Sequence, residues 1–164
     1  MELKFLSKER NTSKDLLRVH QFVFIEQDHE KLIAELFKWG VAEWWPGKVE
    51  VRYSREGGEI AQQGQKVTLD ILKPWILKFE GEVVYCDQKG RLEVDFQKGF
   101  LRARELLTLE ERSNGVRIDY LMQLAAQSLS QKFIWKLFFQ KRFEKNLKEI
   151  FKALKHFVEA REKN

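Results

Sequence analysis

Glu105 is the residue whose position most invites chemistry. Between Phe100 and Glu111 the residues alternate in character, and Glu105 falls in step with Ala103, Leu107 and Leu109, while Arg102, Arg104 and Thr108 take the other phase. A carboxylate on an apolar face is costly unless it is paired or faces a wet cavity. Inside a pocket its pKa would rise with burial, and it could act as a polar anchor or as an acid/base group. A bulge near Gly99 would instead shift the register and return it to solvent. Tyr53, Tyr85 and Tyr120 also fall on the apolar phase of their strands, where a phenol offers a large ring and one hydrogen-bonding tip.

Other reactive residue types are sparse. His20, His29 and His156 are scattered, and no pair has metal-ligand spacing, so no metal is expected. Cys86 sits on the polar-alternating side of its strand, away from the basic neighbour or helix start that a reactive thiolate needs. The phosphate-cradling glycine motifs and the G-x-S-x-G nucleophile motif are absent from the sequence.

These residues must be held by a chain that switches period. Leu16 to Glu26 reads as a strand; Asp28 caps a short helix bearing Leu32, Ile33, Leu36 and Phe37, and Val41 to Trp45 reads as a second short helix stopped by Pro46-Gly47. A period of two then sets in: Val49–Tyr53, Val67–Ile71, Trp75–Tyr85 with a bulge at Gly81, Leu92–Phe96, Phe100–Glu111 and Val116–Met122 each present one apolar face. Ser128 or Ser130 caps a final helix reaching about Arg161, with Phe133, Leu137, Phe143, Leu147, Ile150, Phe151, Leu154 and Phe157 in one stripe. An antiparallel meander with one apolar face needs a cover, and this helix is the only element of the right size.

The order resembles the helix-grip fold of the START-like (SRPBCC) superfamily, and two segments carry the likeness further. Glu43-Trp-Trp-Pro-Gly47 is similar to the tryptophan-proline segment of polyketide-cyclase-like members, and Gly115-Val-Arg-Ile-Asp-Tyr120 to their penultimate turn and strand, with Val116 in place of the usual Thr. The resemblance implies an α+β fold, in which a curved antiparallel sheet of six to seven strands wraps around the long C-terminal helix, with two short helices after the first strand. Residues 1–15 are expected to be a polar lead-in and 16–164 one ligand-binding domain. It also implies a hydrophobic small-molecule ligand (lipid, aromatic or polyketide-like) held between sheet and helix, without a cofactor. Trp44, Trp45, Tyr53, Phe79, Tyr85, Phe96, Glu105, Tyr120, Trp135 and Phe139 are the expected lining. The alternative is a cyclase or dehydratase using Glu105 and a tyrosine as acid and base.

Charge and composition bound the setting. Of 164 residues, 30 are Lys or Arg and 25 Asp or Glu, and the basic excess crowds the last helix. Around Trp135, Phe138 and Phe139 that helix is apolar over nearly its whole circumference, with Lys132, Lys136, Lys141 and Arg142 at the margin. This end either tucks beneath the short helices or, together with Trp44 or Trp45, forms a portal able to rest on an anionic membrane. Nucleic acid is not an expected partner, because the lysines lie on a helix whose other face is committed to the sheet, with no aromatic stacking platform beside exposed Arg. One cysteine and no apolar leader point to the cytoplasm; a monomer or weak dimer is expected.

Overall fold

The computed structural model describes residues 16–161; the polar lead-in over 1–15 lies outside the described residues. Strand β1 (Leu16–Ile25) leads into helix α1 (His29–Leu36), and strands β2 (Val51–Arg55), β3 (Lys66–Ile71), β4 (Leu77–Asp87), β5 (Arg91–Gly99), β6 (Arg102–Arg112) and β7 (Gly115–Ala125) follow. A long helical segment then runs as α2 (Leu129–Ile134), a π-helical turn (Trp135–Phe139) and α3 (Gln140–Arg161). All the pairings are antiparallel, and the seven strands lie in the order β1-β7-β6-β5-β4-β3-β2. The sheet curls into a half-barrel around the long helix, and this is the helix-grip architecture.

Alternation decides which side chains enter the half-barrel. Along β7 every second residue, Val116, Ile118, Tyr120, Met122 and Leu124, is buried. Leu147, Ile150, Phe151, Leu154 and Val158 of α3 close the interior from the other side. Ser128 caps the long helix by accepting a hydrogen bond from the Gln131 amide at 3.2 Å.

Three expectations change. Val41–Trp45 forms successive tight turns, with Val41 N bonded to Lys38 O and Trp45 N to Ala42 O, rather than a second helix. The left-handed backbone of Gly40 (φ 85°) breaks the helical path ahead of it. In the long helix, Phe133 and Leu137 face solvent, not the sheet. The π turn absorbs an extra residue and rotates the helix, so Trp135, Phe139 and Phe143 take the inward face. Tyr85 also leaves the interior: the β4–β5 register slips between Val83 and Tyr85, which reverses its side. It is 42% exposed, donates its hydroxyl to Asp87 and lies under the Arg91 guanidinium. A first slip in the same strand pair falls at Gly81, as expected, where a Cβ would collide with the Asp95 backbone.

No helix among the described residues is long and apolar enough to cross a membrane.

Candidate functional site

The β5–β6–β7 register is continuous through Glu105, which sits opposite Val94 on one side and Met122 on the other. With no bulge to turn it outward, its side chain enters the half-barrel and is 1% exposed. Two phenols meet it there. Tyr53 of β2 and Tyr120 of β7 both donate to Glu105 Oε2, Tyr120 at 2.8 Å and Tyr53 in a very short bond. Glu105 Oε1, equally buried, has no hydrogen-bond partner.

Burial pushes the Glu105 carboxyl up to about 7, while the two tyrosine hydrogen bonds and the positive charge of Arg55 pull the other way. Burial, reinforced by the neighbouring carboxylate, holds both phenols well above their ordinary value. Near neutral pH the cluster is therefore a set of donors around a carboxyl that can hold or release one proton.

Two further residues shape the site. Arg55 spans β2 and the turn after α1, donating to the carbonyls of Phe37 (2.8 Å), Trp39 (2.6 Å) and Glu59 (2.8 Å). This fixes the backbone that carries Trp39, whose ring is 5.7 Å from that of Tyr120 and whose buried indole N–H lies toward the Tyr53 hydroxyl without a well-formed bond. Arg55 shares the inward phase of Val51 and Tyr53, so its sequence position did carry a signal. Trp39 lies just past the end of α1, seven residues after Leu32 and three after Leu36, so it continues the buried side of that helix.

The remaining expected lining residues divide into two groups. Trp44 donates to buried Glu35 (2.9 Å), Trp45 donates to the Val51 carbonyl (3.2 Å), and both pack on Trp39. Glu35 falls on the Leu32–Leu36 stripe of α1, and Arg161 at the far end of α3 reaches it at 3.5 Å. Phe79, Phe96, Trp135 and Phe139 form the second group. All four are fully buried, with Trp135 stacked on Phe139 and edge-on to Phe79. Trp44 and Trp45 thus do not gather with Trp135 and Phe139 as a single portal would require; Tyr120 and Phe143 bridge the groups through ring contacts of 5.7–6.2 Å.

The other candidates stay apart from this cluster. His20 pairs with Asp119 on the outer side, His29 lies near Glu111, and Cys86 Sγ approaches the Ala61 carbonyl at 3.8 Å. Among the described residues no group of three His, Cys, Asp or Glu is placed to hold a metal.

No protein-family model and no curated protein matches the chain. Solved structures do. The KanY protein superimposes with a TM-score of 0.68 at 13% identity over 87% of this chain and 97% of its own. A protein from Thermus thermophilus gives 0.65 at 17% identity over 88% and 98%. A START superfamily protein from Mycobacterium smegmatis gives 0.60 at 12% identity over 87% and 97%. The chain has the START-like (SRPBCC) fold.

Proposed function

We propose that the protein binds a hydrophobic small molecule between sheet and C-terminal helix, and that the Glu105–Tyr53–Tyr120 cluster anchors its polar group. One observation carries this reading: in a largely apolar interior, Glu105 Oε1 is buried without a hydrogen-bond partner, and the Trp39 indole N–H beside the Tyr53 hydroxyl makes no well-formed bond. Unsatisfied buried polar atoms are expensive, and a ligand donor at Glu105 Oε1, with an acceptor for the weakly held Trp39 N–H, would relieve them. The rings around them supply the apolar contact that ligand sites of this kind use. On this reading the protein is a cytoplasmic carrier, monomeric or weakly dimeric, that needs no cofactor.

Native mass spectrometry of the purified chain tests it, together with displacement of anilinonaphthalene sulfonate by long-chain ketones and phenols. A retained or displacing ligand whose hold weakens in Tyr120→Phe supports the assignment. A chain that binds neither the probe nor any apolar compound overturns it.

A second reading is favoured by the Glu105 pKa near 7. Such a group can donate and accept a proton at neutral pH, as a cyclase or dehydratase acting on a polyketide-like substrate requires. Under it, Glu105→Gln abolishes turnover and leaves binding intact.

A further inference from the structure

One end of the domain carries an apolar surface that the interior does not use. Because the π turn sends Trp135 and Phe139 inward, Leu137 is left 72% exposed, with Phe138 beside it and Phe133 and Leu129 exposed one and two turns earlier. Trp75 and Ile76, in the segment just before β4, are exposed next to them, and the Trp75 ring lies 5.4 Å from that of Phe138. Single exposed apolar side chains need no explanation, but a contiguous cluster of six does.

The charge around this patch is one-sided. The segments 72–78, 97–102 and 128–143 hold eight Lys and Arg and no Asp or Glu, whereas the rest of the chain is net acidic. The fold brings the three segments together. Trp75 packs on Phe138, Gly99 pairs with Phe79 just after the first segment, and Gln131 donates to the Phe100 carbonyl at 3.0 Å. Two of the eight cations, Lys73 and Arg142, lie 3.8 and 3.6 Å from Glu50. The basic excess of the sequence therefore sits around this exposed aromatic cluster.

We propose that this end docks on an anionic lipid bilayer, with Trp75, Ile76, Phe133 and Leu137 in the headgroup–acyl boundary and the surrounding lysines and arginines over the lipid phosphates. Apolar rings at the centre with cations at the edge is the pattern interfacial helices use, and each cation near such a surface strengthens partition about fivefold. A second copy of the chain is a poorer occupant, since face-to-face pairing would bring both sets of cations together. The surface is separate from Glu105, and the proposal does not depend on that site being occupied.

The test is co-sedimentation of the full chain with phosphatidylcholine vesicles, with and without phosphatidylserine, while tryptophan emission is followed. Trp75 is the most exposed tryptophan of the five, so its burial in lipid shifts the emission to the blue. Binding to phosphatidylserine vesicles should exceed binding to neutral ones by at least about tenfold and weaken as salt is added. The doubly substituted Phe133→Asp, Leu137→Asp chain should lose at least about tenfold; both side chains are exposed, so its fold should survive. Lys136→Glu with Lys141→Glu gives an independent variant with the same expected loss, and Glu105→Gln should bind vesicles like the parent. Equal binding to neutral and anionic vesicles overturns the proposal, as does failure to bind either. So does undiminished binding by both surface variants, or a dimer in solution that the Asp variant dissociates.

Discussion

Tyr53 and Glu105 are hydrogen-bonded although three strands separate β2 from β6 in the sheet. In a flat sheet those strands would lie about 19 Å apart, at roughly 4.8 Å per step. The bond exists because the sheet curls far enough for opposite flanks to touch across the concave side. Glu105 is thereby both the polar centre of the candidate site and a tie between the two flanks of the half-barrel.

The carboxyl should make stability depend on pH in an unusual direction. Its pKa is raised on folding, from the ordinary 4.5 to about 7, so the folded state holds the proton more tightly. The contribution is complete below about pH 4.5 and is lost as pH rises through 7, a change on the order of a few kcal/mol. Denaturant melts of the parent between pH 5 and 8.5 should show the decline, and Glu105→Gln should flatten it. Equal slopes in the two proteins would mean that the carboxyl is already ionised when buried.

Removing one phenol hydroxyl leaves a less satisfied carboxyl. Tyr120→Phe should cost about 1–3 kcal/mol and push the Glu105 pKa further up, moving the pH-dependent loss of stability to higher pH. Nuclear magnetic resonance titration of the Glu105 carboxyl carbon reads that shift directly.

Gly40 positions Tyr53 at a distance in sequence. A Cβ at residue 40 would run into Cβ and Cγ of Tyr53, and the backbone there is left-handed. Gly40→Ala should cost at least about 1 kcal/mol through the strained φ and displace the Tyr53 ring, so probe binding falls more than in the Gly57→Ala control. At Gly57 the backbone is left-handed too, but nothing stands within 4 Å of an added Cβ.

Two residues of the π turn should respond very unequally to truncation. Trp135→Ala should cost roughly 3–5 kcal/mol, because its ring is wholly buried among Phe79, Phe139 and Phe143. Leu137→Ala should change stability by less than about 0.5 kcal/mol. Similar losses for the two would mean that the helix does not turn as described.

Period-two patterning was enough to read the meander, and with it the inward phase of Tyr53, Phe79, Phe96, Glu105 and Tyr120. It failed where one residue is inserted into a regular element. The slip after Val83 sent Tyr85 outside, and the π turn exchanged Phe133 and Leu137 for Trp135 and Phe139. Such insertions leave composition and local alternation nearly untouched, since they are fixed by packing on a partner strand or sheet. Arg55 and Glu35 were legible in principle, as charged residues on apolar phases. Trp39 continues the Leu32–Leu36 stripe at helical spacing, so its burial was legible too, but only the folded chain brings it beside Tyr120.

The pairing of β1 with β7 sets a condition on how a newly made chain can fold. Ile25 pairs with Val116 and Leu16 with Ala125, so among the described residues the first strand finds its one neighbour when the last one has been synthesised. At about 5–20 residues per second on the ribosome, β1 waits on the order of 5–20 s with its β7-facing edge open. During that wait Val19, Val23 and Ile25 are accessible to chaperones or to a neighbouring nascent chain. Ribosome-bound chains arrested before residue 116 should be cut within β1 by a nonspecific protease, and chains extended past α3 should resist.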